Sequence, residues 1–437
     1  MFENHLINRR QTLAGAVSIG GTIGFSHLFA SIATAANEVA RNDQRHCVLL
    51  WMSGGPSQMD TFDMKPNHKN GGSFKEVATK VPGIRFSEHL PKLGAQSDRL
   101  AILQGMSTKE GDHERGTTVM RTGHMTGGPV KYPAIGCSLS KALQNPQSRL
   151  PGYVTIASGP FARASLSPGF LGPKYAATSV SVSGPPAANG FAELRVDHMQ
   201  PHASVGPSRF ADRLAIWQSM QESFLRTRSS PNVVAQDTVY RSAIDMLGSD
   251  AKDAFDLSGE TDAVRESYGR GTFGQGCLMA RRLIERGVPL VEVTLGDGLG
   301  WDTHANNFDQ VKQLSAQLDA GWATLMTELS DRGLLEKTTI LWAGEFGRTP
   351  VINSNGGRDH FPQAFSCVLA GGGVAGGQVY GSTGTDGMEV TDGKIDQQNL
   401  LATVCGALGV DPATENIAEG GRPVAIAEGA MIEQVLL

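Results

Sequence analysis

The chain has 437 residues, of which 54 are Gly and 21 are Pro. This exceeds the roughly 12% of an average chain but stays short of the roughly 25–30% of low-complexity disorder, and no Gly-X-Y period marks a collagen. Net charge is −5 and aromatic content is 6%, which excludes a protein built on nucleic-acid affinity through a basic face or a stacking platform. The cysteines at 47, 137, 277, 367 and 405 are scattered, with no CxxC pair. They read as small buried hydrophobes and not as a disulfide scaffold.

At the N-terminus, Arg9-Arg10 precedes a stretch from Gln11 to Asn37 without Asp, Glu, Lys or Arg. The stretch is weakly apolar, and Ala33-Thr34-Ala35 suits cleavage at small residues. Residues 1–36 therefore read as a twin-arginine export signal. Its Gly and Ser content makes it a poor permanent span, so no stable membrane span is expected once it is removed. Residues 37–437 are expected to form one domain, exported to the periplasm or cell envelope.

Cys47–Met52 is a continuous apolar run ending in Ser53-Gly54-Gly55-Pro56, the pattern of a buried parallel strand entering a tight turn. Further strands are predicted at Leu100–Leu103, Tyr153–Ile156, Val288–Leu295, Thr338–Ala343 and Phe365–Ala370. The stretch 151–208, rich in Gly, Pro, Ser and Ala, reads as an excursion over the surface. Helices are predicted at Arg209–Arg226, at Phe273–Arg286 and at Ala305–Leu335. In the second, Leu283 and Ile284 should pack inward and Arg281, Arg282 and Arg286 outward. In the third, apolar residues recur at three- and four-residue spacing. Strands alternating with helices imply an α/β fold: a doubly wound, mostly parallel sheet with helices on both faces.

Polar residues gather after the predicted strands, where open α/β sheets bind ligands. Asp60 follows the first strand, and Asp112, His113, Glu114, Arg115, Thr117 and Thr118 follow the second. Asp302 and His304 follow Val288–Leu295. Glu345 and Arg348 follow Thr338–Ala343, and Arg358, Asp359 and His360 precede the last strand. Singly, each has a structural reading: Asp302 as a helix cap, Glu345 as a partner of Arg348, Asp359 as a turn residue. Jointly, carboxylates and imidazoles flanked by Gly at several strand ends point to a shared polar site. Oxygen and nitrogen donors without thiolate suit Zn, Mn or Fe better than Ca or Mg. Arg115, Arg348 and Arg358 are candidate partners for an anionic substrate, or else supports for the carboxylates.

The motifs LLWMSGGPSQMDTFD, GDHERGTTVMRTGH, GWDTHANNF, RGLLEKTTILWAGEFGRTP and GRDHFP, in this order behind the paired arginines, resemble the exported family known as domain of unknown function 1501. That family is placed in the alkaline-phosphatase/sulfatase-like superfamily. The resemblance implies an alkaline-phosphatase-like fold with a metal-dependent hydrolase site. Asp302 and His304 look like the superfamily's Asp and His before a helix, although closer together. His360 looks like its late His. Glu345-Phe346 stands in place of an Asp-His pair, Ser53-Gly54 in place of an Asp, and Asp60 is a loose substitute for the latter. Counting back nine positions from Thr122-Gly123 reaches His113, where the sulfatase pattern has its nucleophile, and Thr117 takes the place of its Arg.

Asp302, His304, Glu345, His360 and Asp60 are thus the expected metal ligands, with His113, Thr117 and Thr118 as catalytic candidates. Three readings of the nucleophile stay open: Thr117 or Thr118 serves, His113 is a ligand or acceptor, or the chemistry has been lost. The leading function is an exported metal-dependent phosphate- or sulfate-ester hydrolase. The alternatives are a non-catalytic envelope protein that binds a surface polymer, and a carbohydrate-acting enzyme using Asp302 and Glu345 as acid and base.

Overall fold

The computed structural model describes residues 44–437, apart from 146–147, 160–164, 185–189, 198, 200–203, 229, 248–249 and 297. The expected signal segment at 1–36 lies outside the described residues. Residues Arg45–Leu437 form one compact unit.

The nine strands of the main sheet are β1 His46–Met52, β2 Leu100–Met106, β3 Tyr153–Ile156, β4 Thr178–Val182, β5 Leu194–Val196, β6 Leu290–Leu295, β7 Thr338–Ala343, β8 Phe365–Gly371 and β9 Gln378–Tyr380. Their spatial order is β9-β2-β8-β7-β1-β6-β3-β4-β5. β1 lies at the centre, pairing in parallel with β6 and β7. β8 runs antiparallel to both β7 and β2, and β5 antiparallel to β4.

All seven residues of β1 are buried, because both faces of the sheet are covered. Its side chains alternate between two cores. Val48, Leu50 and Met52 enter one, with Ile340 and Trp342 of β7. Cys47, Leu49 and Trp51 enter the other, with Leu341 and Ala343. Burying each such apolar side chain contributes roughly 1.5–3 kcal/mol.

The longer helices among the described residues include α1 His113–Thr122, α2 Ile135–Leu143, α3 Pro207–Thr227, α4 Pro231–Leu247, α5 Thr272–Glu285, α6 Asn307–Asp331 and α7 Gln397–Ala407. The first core is roofed by α5 and α6, through Phe273, Cys277, Leu318 and Trp322 among others. The second is roofed by α2 and α7, through Ile135, Leu139, Leu401 and Val404. The expected doubly wound α/β architecture is therefore present.

Two details differ from expectation. Arg281 is buried, not outward: α5 is enclosed by its neighbours, and the guanidinium is bridged to Glu260 at 2.8 Å, Glu285 at 3.0 Å and Glu328 at 3.2 Å. The stretch 151–208 is more than a surface excursion: beyond the expected strand at Tyr153–Ile156, β3, it supplies β4 and β5 to one edge of the sheet. Short strands between Gly/Pro turns carry too little periodicity to stand out.

The topology gathers the polar segments. β2, β7, β1 and β6 run the same way, so their carboxyl ends share one side of the sheet. β8 is antiparallel, and its amino end lies on that same side. A residue just before β8 thus joins residues just after its neighbours.

Candidate metal centre

The centre is built from four segments. The β2 extension ends at Asp112, whose carboxylate accepts the Arg115 backbone N–H at 3.1 Å and starts α1. His113 is the first residue of that helix. The loop after β6 brings Asp302 and His304. Glu345 follows β7. His360 precedes β8, where a two-residue antiparallel ladder sets Arg348 opposite His360.

The close approach of these loops demands glycine. Gly54 has φ of 111°, and a Cβ on it would lie 2.5 Å from the Asp302 nitrogen. A Cβ on Gly357 would lie 2.0 Å from the His304 carbonyl oxygen. Neither position accepts a side chain without moving a ligand segment.

Asp302 is the hub. Its Oδ1 lies 3.0 Å from His304 Nε2, 3.2 Å from His360 Nε2 and 2.6 Å from Arg348 Nη2. Its Oδ2 lies 3.3 Å from His113 Nε2, in a direction that makes no hydrogen bond and leaves that buried nitrogen unpartnered. The Nε2 atoms of His304 and His360 are 3.1 Å apart. One ligand atom each from His113, Asp302 and His360 all fall within 4.8 Å of one another.

Each imidazole is held from behind through Nδ1. His113 Nδ1 lies 2.7 Å from Glu345 Oε1, His304 Nδ1 2.7 Å from Asp359 Oδ1, and His360 Nδ1 2.7 Å from the Gly111 carbonyl. These acceptors require the proton on Nδ1 in each neutral ring, which leaves the Nε2 lone pairs facing inward. Phe346 is fully buried and packs its ring against His113 and His360, with centroids 5.0 and 4.6 Å away.

Charge follows the geometry. Burial opposes ionisation of Asp302, but the adjacent His113 and His360 imidazoles and the charge of Arg348 hold it well below the usual carboxylate range. Burial likewise opposes protonation of His113, yet Asp302 and Glu345 outweigh it and push the imidazole up to about 9.

Among the expected ligands, Asp302, His304 and His360 converge, and His113 joins them. Glu345 stands one step back, bonded to His113 and to the Gly54 N–H at 2.8 Å. Asp60 is elsewhere, fully buried in an ion pair with Arg358 at 2.7 Å and accepting from Asn307 at 2.8 Å. Both of its oxygens are engaged there, so it braces the start of α6 and does not join the centre.

The expected anion-binding arginines are engaged too. Arg358 donates to Asp60, Thr349, Pro350 and Asn70, which uses all five of its N–H groups. Arg348 is fully buried and donates to the carbonyls of Gly54, Gly55 and Arg358 as well as approaching Asp302. Arg115 is exposed and pairs with Glu110 at 3.0 Å. Thr117 is buried within α1, and the Thr118 hydroxyl donates to the Glu114 carbonyl at 2.9 Å. Among the described residues, no hydrogen bond joins either hydroxyl to the centre. The cysteines are free and buried, and burial pushes each thiol up.

Sequence reasoning did not assign roles to the Gly111 carbonyl, Phe346 or Asn353, which donates to Asp359 at 3.2 Å. Only Asp359 carried a signal, as the neighbour of His360 in GRDHFP.

Fold and centre together define a class: a doubly wound α/β protein with a histidine–carboxylate cluster at the strand ends. The chain belongs to the family described as "Protein of unknown function (DUF1501)", whose model matches residues 44–436. No curated protein matches the chain in sequence. Similar solved structures include the PsFucS1 sulfatase from Pseudoalteromonas sp., at 11% identity and TM-score 0.38, covering 86% of this chain and 70% of that one. The lipoteichoic acid synthase LtaP from Listeria monocytogenes is similar at 8% identity and TM-score 0.39, covering 88% and 75%. The alkaline phosphatase of the Antarctic bacterium TAB5 is similar at 12% identity and TM-score 0.37, covering 84% and 99%. Likeness at this level leaves the chemistry of the centre to its own residues.

Proposed function

We propose that the protein is an exported metal-dependent hydrolase of phosphate or sulfate esters. The observation that carries this reading is the triple tether: three imidazoles bonded outward through Nδ1, with Nε2 atoms turned toward one carboxylate. The Nε2 atom of His113 is buried without a hydrogen-bond partner, and those of His304 and His360 are 3.1 Å apart; inward-facing lone pairs so placed are costly unless a cation or a proton lies among them.

His113, His360 and Asp302 would hold the ion, with His304 at the more open side. The nitrogen and oxygen donors favour Zn, Mn or Fe over Ca or Mg. Such an ion supplies Lewis acidity at an ester oxygen and makes a nearby water more acidic. Arg348 holds Asp302 in place, and Phe346 keeps water from the floor. With the thiols buried and the Thr118 hydroxyl turned to its own helix, water is favoured over a side chain as the attacking group. With Arg348 and Arg358 engaged, the anion is left to the ion and to backbone donors.

The purified protein should hydrolyse an aryl phosphate or aryl sulfate when Zn²⁺ or Mn²⁺ is added. The double variant D302A/H360A should lose at least about 100-fold in rate, as expected when ligands of an essential ion are removed. Equal rates for the two proteins would sink the proposal.

The engaged arginines and threonines also favour a second reading, a non-catalytic envelope protein that keeps the ion and binds an anionic surface polymer. Bound metal without turnover on any ester would select it.

Export is part of the proposal. It rests on Arg9-Arg10 and the uncharged stretch that follows. Among the described residues no helix is long and apolar enough to cross a membrane. Cell fractionation of the R9K/R10K variant tests it: the variant should stay in the cytoplasm, and undiminished export would contradict the twin-arginine route.

A further inference from the structure

Glu345 has the composition of a ligand and the position of a support. Its side chain is fully buried. One oxygen, Oε1, accepts both the His113 Nδ1–H at 2.7 Å and the Gly54 N–H at 2.8 Å. The other, Oε2, is buried with no hydrogen-bond partner. Arg348 gives its hydrogen bonds to backbone carbonyls and meets Asp302, not Glu345. A buried carboxylate with an orphaned oxygen is expensive. Two hydrogen bonds to one oxygen need only a carbonyl, so geometry alone does not call for the charge.

Resting on the metal-centre reading above, we infer that Glu345 is a positioning residue whose negative charge, transmitted through His113, raises the affinity of the centre for a divalent cation. The carboxylate keeps the His113 proton on Nδ1 and directs Nε2 toward Asp302 and His360. Its charge also makes that imidazole a stronger donor to a cation. Asp359 stands in the same relation to His304, but 53% of its side chain is exposed, so water screens its charge. The two supports therefore differ in weight.

Substitution separates charge from geometry. In E345Q both the Gly54 N–H and the His113 Nδ1–H still need an acceptor, so the amide oxygen takes the Oε1 place and the NH₂ falls at the orphaned oxygen. Shape and both hydrogen bonds persist; the charge is lost and an NH₂ group takes the place of the unpartnered oxygen. E345D keeps the charge with poorer reach.

The experiment is Zn²⁺ affinity by chelator competition on full-length folded protein, with circular dichroism to confirm the fold. E345Q should bind about 10–100-fold more weakly than the parent. D359N should lose no more than about fivefold, as exposed pairs do. E345D should bind more tightly than E345Q, whereas a purely structural role would favour the isosteric Gln. Wild-type affinity in E345Q, or E345D weaker than E345Q, would overturn the role of the charge while leaving the metal centre standing. Absence of Zn²⁺ binding by the parent would overturn both.

Discussion

At Asp302 one carboxylate faces three imidazoles and a guanidinium. In the metal-free protein this arrangement makes stability depend on pH. The His113 imidazole is raised to about 9, against about 6.5 unfolded. Its contribution is fully present below about pH 6.5 and is lost as pH rises through 9, up to about 3 kcal/mol. Urea unfolding of metal-free protein should show this decline, and H113N should abolish it. Metal binding must displace the same proton, so Zn²⁺ affinity should rise over that range. A second prediction concerns Asp60. D60A would strand the buried Arg358 charge and should cost about 3–5 kcal/mol in urea unfolding. The residues of the centre were partly legible. Asp302, His304 and His360 stood out because acid and imidazole side chains adjoined Gly at strand ends. The true partners of Asp60, Arg358 and Glu345 were not, because each is set by contacts between segments more than 200 positions apart.

At the scale of elements, α1 binds the centre to the sheet. Its first residue is His113, and near its end Arg121 meets Glu292 of β6, with both side chains buried. Tyr153 of β3 donates to the other Glu292 oxygen at 2.8 Å, and the Arg121 guanidinium stacks 4.3 Å from the Trp51 ring. E292Q should therefore destabilise the fold by about 3–5 kcal/mol. It should also weaken Zn²⁺ binding by loosening the helix that carries His113, and a stability loss with unchanged affinity would contradict that link. The long strands and α6 were readable because burial imposes continuous apolar runs or a 3.6-residue period. α1 was not recognised as a helix: its Gly and Thr content hid a capped start at Asp112 and a left-handed stop at Gly123. The antiparallel direction of β8 leaves no mark in composition, since a strand buried on both faces looks alike either way.

For the molecule as a whole, a cation at this centre would tie together the segments after β2 and β6 and the one before β8. Binding to the folded state alone stabilises by about 2.7 kcal/mol at a hundredfold excess over Kd. Thermal unfolding should shift upward by a few degrees with Zn²⁺ and return with chelator. The exposed face of the centre is formed by His304 and Asp359, at 46% and 53% exposure, which sets the side from which a substrate would approach. The most direct test is a crystal structure of protein grown with Zn²⁺, with anomalous data at the zinc edge. The account predicts a peak about 2.0–2.1 Å from the Nε2 atoms of His113 and His360, with an Asp302 oxygen beside it. A protein without a peak among these residues, or with the ion bound elsewhere, would contradict it.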